Sequence, residues 1–456
     1  MRPTLGGTTL TTHQSQGAAP LGAVPTGPSL LRQVCSSAGL VALMVLLVCV
    51  PVPLGGGAFP ADAVSALLVA VVAVQAWRDG LRLRPVTAVL LGTVVLAASV
   101  AALAGVDTAQ SLEAWARYLQ LFALVPLAVV LAMRDRRDVA LILHALVVAA
   151  LVQGVVSVVQ AVTGTGATFQ GMNVRATGTF GGEDVIAASV IIGLGVIACL
   201  GLAISAAGWW RIAYAATAAG LLVPLGLTLS RGSWLATAAA ALVVLLFAGG
   251  RAFVATAACG AAAAVVLVGG FGIGSEIVGE RIASIGDTTQ APDPSTNDRY
   301  ALWSTAVDIW LDHPGTGVGL REFARYRDTY APLSLSSGST VGQSGPGGNL
   351  AQQELLSPHN QYLLVLAEQG GVGFVPFAAL LIVSAASAVW ATLRGPTKGR
   401  GVGAAVVGIA VWQLLNFVYG DLGGATSLVT AVIIGLALWY GLEQGADKGA
   451  PARGAP

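Results

Sequence analysis

Charge is what this chain has least of. Asp, Glu, Lys and Arg make up only 10% of its 456 residues, where a soluble domain carries roughly a quarter. Lysine is confined to Lys398 and Lys448. A formal net charge of +1 leaves no bulk basic field, so no nucleic-acid partner is expected. The cysteines, Cys35, Cys49, Cys199 and Cys259, show no CxxC or other metal-ligand spacing, and the longest polar stretch contains none of them. They read as small buried residues. A G-x-G-x-x-G, a P-loop and a nucleotide-sugar domain are all missing, which argues against a cytoplasmic nucleotide donor. No DxD motif, histidine pair or carboxylate cluster suits a divalent ion, so neither a metal nor another cofactor is expected.

What the chain has instead is apolar length. Hydrophobic residues reach 55% and the mean hydropathy is +0.78. At about 20 apolar residues per crossing, the sequence predicts about twelve transmembrane helices, over 36–53, 61–77, 86–104, 115–133, 139–162, 184–206, 212–229, 233–248, 252–273, 363–392, 402–420 and 425–442. The fold class is therefore an all-α polytopic membrane protein. Its membrane domain spans 36–442, with tails at 1–35 and 443–456 whose composition predicts disorder. The N-terminal tail lacks the order of a signal peptide. The run 363–392 is too long for one straight crossing, and Gly370-Gly371 predicts a break that separates an entry helix from the true span.

Arginines orient the set. Arg78, Arg82 and Arg84 follow the second span, Arg134, Arg136 and Arg137 the fourth, Arg211 the sixth, Arg251 the eighth, and Arg394, Lys398 and Arg400 the tenth. By the positive-inside rule that side is cytoplasmic, and both termini lie there. The opposite connections hold mainly acids, among them Asp107, Glu113, Glu183, Asp184 and Asp421.

One large extracytoplasmic loop, 274–358, remains. It holds ten acids and five arginines, so an anionic ligand there would need local arginines. Helical spacing of Leu302, Trp303, Ala306, Ile309 and Trp310 predicts an amphipathic helix over 298–312 on the membrane surface, N-capped by Asn297 and stopped by His313-Pro314-Gly315. A second short helix is predicted at 320–330. The Ser/Gly-rich segment 334–349 reads as a mobile flap.

Three arginines in this half of the membrane break the charge pattern: Arg117, Arg175 in NVRATGTFGGEDV, and Arg231 in TLSRGSW. A guanidinium at the membrane edge is costly without a partner. Headgroup anchoring is the plain reading. The sharper one groups Arg175, Arg231 and Arg299 as a clamp for a diphosphate, because the guanidinium fork matches phosphate oxygens. The stretch SPHNQYLLVLAEQGGVGF then sets His359 and Asn360 at the start of an apolar helix, with Glu368 before the glycine pair. A neutral histidine there can act as a general base; it could equally cap or anchor the helix. The remaining polar groups read as packing: His144 hydrogen-bonded to a neighbouring helix, and Gln153, Gln160, Gln413 and Asn416 as interhelical partners.

At these residues the chain resembles the O-antigen ligase and polymerase superfamily. SRGSWLA, DRYALWSTAVDIWLDHPGTGVGLREFARY and HNQYLLVLAEQGGVGF carry the resemblance, and RATGTFGGEDVIA is similar to an element before a middle span. The resemblance covers about 170–380. It implies an all-helical, GT-C-like glycosyltransferase that takes a glycan from an undecaprenyl-diphosphate carrier. The acceptor would be a glycan, a glycolipid or another envelope molecule outside the cytoplasmic membrane. It also implies His359 as the catalytic residue, Arg175, Arg231 and Arg299 as donor-diphosphate ligands, and Ser230, Asn360 and Glu368 as supporting residues. GGED departs from the asparagine-rich turn common in the family, which leaves Glu183 and Asp184 without an implied role. A polymerase of lipid-linked repeats shares the resemblance. A transporter or flippase would share the span count, although no acid or lysine sits mid-span to couple an ion. A scaffold of an envelope-assembly complex fits the sequence least.

Overall fold

The computed structural model describes residues 36–54, 58–80, 83–169, 172–181, 184, 186–250, 294–332, 335, 343–344, 350–351, 356–396 and 399–444. The expected tail 1–35 and span 252–273 lie outside them, as do Cys35, Cys259, Glu183 and most of the expected flap.

Apolar runs of this length leave the backbone only one way to satisfy its own polar groups within a membrane, and the chain is accordingly helical. In chain order the bundle comprises α1 (Ser37–Leu47), α2 (Pro60–Asp79), α3 (Pro85–Ala104), α4 (Thr108–Ala132), α5 (Arg136–Thr163), α6 (Ala187–Ser205), α7 (Trp209–Leu227), α8 (Arg231–Ala248), α11 (Gln361–Arg394), α12 (Arg400–Tyr419) and α13 (Ser427–Glu443). Between α8 and α11 come two helices outside the bundle, α9 (Pro294–Asp312) and α10 (Phe323–Tyr330). Among the described residues nine helices are long and apolar enough to cross a membrane, and α1 and α13 are shorter apolar helices. Two short antiparallel pairs complete the fold: β1 (Ala167–Phe169) with β2 (Met172–Arg175), and β3 (Gln343–Ser344) with β4 (Leu350–Ala351).

Short turns join successive spans, so the helices alternate in direction. The C-terminal ends of α2, α4, α6 and α11 fall at one end of the bundle, and those of α3, α7 and α12 at the other, here called the site end. The centre is α6, buried over nearly its whole length and packed against α5, α7, α8 and α12. Its Gly, Ala and Ser content permits that many close neighbours.

Several polar residues serve differently from the sequence reading. Arg117 is no headgroup anchor: it forms an ion pair with Asp62 of α2 and donates to Gln120, whose amide in turn bonds Ser65. Gln153 and Gln160 bridge to the short 3-10 helix Gly178–Phe180 and not to a neighbouring span, and their role is given below. His144 does reach a neighbouring helix, with Nε2 2.8 Å from the Tyr214 hydroxyl. Cys49 and Cys199 are buried, as expected.

The largest departure concerns α9. It begins at Pro294, so Asn297 lies inside the helix and is not its cap. Its apolar face is not laid on the membrane either. Leu302, Ala306 and Ile309 are fully buried in a second small core with Val318, Phe323, Leu335 and Ala367 of α11. A helix with this stripe needs an apolar partner, and the entry turn of α11 offers one that excludes water as well as lipid does.

Candidate active site

The site end gathers residues that are far apart in sequence. His359 does not begin α11. It precedes the N-cap Asn360, whose Oδ1 accepts from Leu363 N at 3.1 Å. Capping is thus Asn360's work, and His359 is left for another. Its backbone lies in the left-handed region at φ 49°, a strain on the order of 1–3 kcal/mol for a residue with a Cβ. Neighbours on both sides hold this conformation. Trp303 Nε1 of α9 donates to Pro358 O at 3.0 Å, and Ser357 Oγ accepts from His359 N at 3.1 Å. On the other side, Gln361 N donates to Gly420 O at 3.1 Å and Gln361 Oε1 accepts from Leu422 N at 2.9 Å.

That last pair of bonds brings Asp421 to the histidine. His359 Nδ1 stands 3.8 Å from Asp421 Oδ1, with the two side chains 37% and 17% exposed. The gap exceeds hydrogen-bond length but lies within reach once the ring is protonated and charged. Asp421 carried no motif and was legible in the sequence only as one acid among several on this face.

Arg231 is the first helical residue of α8. It follows Leu229, another left-handed residue at φ 50°. That sharp turn swings the chain from α7 into α8, and Trp234 Nε1 ties it by donating to Leu225 O at 2.8 Å. Ser230 Oγ donates to Ser233 Oγ at 3.0 Å, and Ser233 meets Ser189 Oγ of α6 at 2.8 Å, so Ser230 fixes the turn. A cation at a helix N-terminus opposes the helix dipole. The two positive ends together suit an anion. The start of α8 lies against the end of α12: a Cβ on Gly232 would be 3.0 Å from the Tyr419 Cβ, two residues before Asp421.

Arg175 arrives by a third route. Ala176 N donates to Leu227 O at 3.1 Å, which sets the end of β2 beside the α7–α8 turn. Gln160 of α5 accepts from Thr177 N and Gly178 N and donates to Gly178 O, while Gln153 bonds both the backbone and the hydroxyl of Thr179. The two glutamines therefore fold the ATGTF turn under Arg175. Asp184 accepts from Ala187 N at 3.1 Å. Burial pushes its carboxyl above the usual range, backbone donors pull it back, and it senses both Asp421 and Arg175. Arg299 lies on α9, four residues and so about one turn before Trp303, on the same helix face. Four of the residues singled out in the sequence, Arg175, Arg231, Arg299 and His359, are thus carried by elements that converge at this end.

Glu368 serves the outer loop. It is 8% exposed, and its Oε1 accepts from Phe323 N at 3.2 Å. Glu322 has a matching task, accepting from Val106 N and Asp107 N ahead of α4 at 3.1 and 3.0 Å. Between them runs the break that Gly370 makes at φ 60°, ψ −163°. Interrupting a helix strands carbonyls before the break and N–H groups after it. Here the HPGTGVG segment takes two of each. Val318 N donates to Ala367 O at 3.1 Å and Gly319 N to Glu368 O at 2.9 Å. In return Gly371 N donates to Pro314 O at 2.9 Å and Val372 N to Gly315 O at 3.1 Å. The approach is too close for a side chain: a Cβ on Gly317 would lie 2.3 Å from the Glu368 carbonyl carbon, and one on Gly370 2.2 Å from Gly315 O.

With this geometry in view, residues 215–378 match the family model described as O-antigen ligase. The match runs from α7 to just beyond the α11 break. It includes Arg231, Arg299, His359 and Glu368. Arg175 and Asp421 fall outside the matched residues. No curated protein matches the chain.

Proposed function

We propose that this chain, with an O-antigen ligase domain over 215–378, moves a glycan from a polyprenyl-diphosphate carrier to an acceptor hydroxyl at the extracytoplasmic face of the cytoplasmic membrane. The observation that carries this reading is His359. It is held in a strained conformation, left uncapped, and set beside Asp421 at the end of the bundle to which the arginine-bearing elements also run.

The acceptor oxygen attacks the anomeric carbon, and the bond from that carbon to the diphosphate oxygen breaks. The acceptor's proton passes to the His359 ring at Nε2, since Nδ1 faces Asp421. Asp421 then stabilises the imidazolium, closing a gap of the kind that tightens when substrate binds. Arg231, Arg175 and Arg299 neutralise the departing diphosphate. Either a ligase or a polymerase can run this chemistry, because the two differ in the acceptor. Deleting the gene separates them by glycan mass spectrometry: single repeats left on the carrier indicate a lost polymerase, long chains a lost ligase.

The arginine assignment is tested at Arg231. Arg231→Lys keeps the charge and loses the fork, so transfer in purified protein is expected to fall by about tenfold or more, and Arg231→Ala is expected to fall further. Wild-type turnover in Arg231→Lys would remove the bidentate contact from the mechanism. Wild-type turnover in Arg231→Ala would reduce Arg231 to an anchor.

Orientation is tested in intact, wall-permeabilised cells. A membrane-impermeant thiol reagent is expected to label Leu356→Cys and to spare Arg137→Cys. The reverse pattern would place the site on the wrong side for a lipid-linked donor.

A further inference from the structure

Helix α9 carries an aromatic pair to which the transfer chemistry gives no task. Tyr300 and Trp303 are three residues apart and so neighbours on the helix surface, with ring centroids 5.7 Å apart and planes at 89°. The two are held differently. Trp303 is partly buried and tied down, since its Nε1 donates to Pro358 O at 3.0 Å. Tyr300 is 58% exposed. At about 100° per residue, Arg299, Trp303 and Tyr300 fall within one arc of about 100° on α9. Leu302, Ala306 and Ile309, which enter the second core, occupy the arc on the other side of Arg299. Tyr300 therefore projects away from the packed face and past the two residues that face the site.

The meaning of this open ring comes from its neighbours. Arg299, next to it in the chain, is assigned above to the departing diphosphate. Trp303, against it, holds the residue that precedes His359. In glycosyl transfer one carbon is both bonded to the diphosphate and attacked by the oxygen that the base deprotonates. The sugar being transferred must then lie between the arginines and the histidine, and Tyr300 stands beside that interval. Charged groups can meet the hydroxyls of a sugar but have nothing to offer its C–H face. An aromatic ring covers that face without desolvating a hydroxyl, and apolar aromatic walls with a few polar anchors are the usual lining of a small-molecule site.

We propose that Tyr300 stacks on the C–H face of the donor's reducing-end sugar, the one joined to the diphosphate, with Trp303 as its support. The proposal rests on the donor reading above and adds to it the class of sugar. A pyranose whose hydroxyls lie mostly equatorial presents such a face, and one with axial groups on both faces does not. Trp303 fixes the ring on one side, so the stacking surface is formed before the donor arrives and little side-chain freedom remains to be lost on binding.

The test compares two lipids on the purified full chain in neutral detergent by native mass spectrometry. One is bare undecaprenyl diphosphate, and the other is the glycan-bearing carrier extracted from cells that lack the gene. Wild type is expected to retain the glycan-bearing carrier more strongly. Tyr300→Leu is expected to weaken that retention about fivefold and to leave the bare carrier unchanged, while Tyr300→Phe stays within about twofold of wild type for both. Leucine keeps apolar bulk and loses the flat ring, so a tyrosine that only seats the helix in lipid would tolerate it. Both variants should keep the wild-type thermal midpoint, because the side chain is more than half exposed. Should Tyr300→Leu assemble poorly, Tyr300→Met takes its place. Unchanged retention in Tyr300→Leu, an equal loss for both lipids, or no preference for the glycan-bearing carrier in wild type would each overturn the proposal and leave the diphosphate site standing. If wild type retains neither lipid, the donor reading falls and the proposal with it.

Discussion

Replacing His359 with glutamine is expected to lower glycan transfer by about 10²–10⁴-fold, the range of a lost general base. Glutamine can keep a hydrogen bond but cannot take a proton, so it separates proton transfer from positioning. Carrier binding should persist in the variant, because the arginines remain. Asp421→Asn is expected to cost less, since it leaves the imidazole in place and removes only the charge 3.8 Å from Nδ1. Two measurements check this: turnover at matched protein level, and retention of a polyprenyl-diphosphate lipid by the same preparations. Near-normal turnover in His359→Gln would show that the ring positions the acceptor. The base would then be sought among the carboxylates of this face, Asp421 and Asp184 first, because Glu368 is committed to the Phe323 amide.

Gly317→Val is expected to prevent the outer loop from seating and to destabilise the protein by about 4 kcal/mol or more, the range of exceptional single substitutions. Two causes act together. The residue has φ +68°, which a β-branched side chain resists. Its Cβ would also fall on the backbone of Glu368 at 2.3 Å, where no side chain can move aside. Displacing the loop strands Ala367 O and Glu368 O together with the N–H groups of Gly371 and Val372. In an apolar setting each such group costs several kcal/mol. Gly220→Val is the control, because nothing lies within 4 Å of its Cβ and it sits mid-helix in α7. The check is the yield of folded, detergent-stable protein and its thermal midpoint. A wild-type midpoint for Gly317→Val would mean that the loop and the break are not coupled.

The two halves of the structure were unequally legible in the sequence. The spans follow from apolar run length, and the break at Gly370 from two adjacent glycines in a run too long for one crossing. The arginines stood out because each is costly where it lies, so their cost itself was the signal. Asp421 gave none. Its value comes from Gln361, which links two helix ends that are 59 residues apart by their bonds to Gly420 and Leu422 (361 against 420). Such a contact has no sequence period. The left-handed residues Leu229, Arg321 and His359 were equally silent, because nothing local asks a leucine, an arginine or a histidine to adopt that backbone. Only the packing around them fixes it. The error over α9 has a similar source. An amphipathic stripe reports that one face must be covered, and is blind to whether lipid or protein covers it.

The four bonds exchanged at the α11 break also bear on the order of biogenesis. The segment 314–319 leaves the ribosome before 367–372, so the partner for the interrupted helix has already been made when that helix enters the membrane. A circular permutation that reversed this order would present the translocation machinery with a gap in a hydrophobic helix and nothing to close it. For the same reason a chimera that exchanges the outer loop with that of a relative must carry both segments as one cassette, since a loop moved alone would leave its new host holding half of a hydrogen-bond ladder.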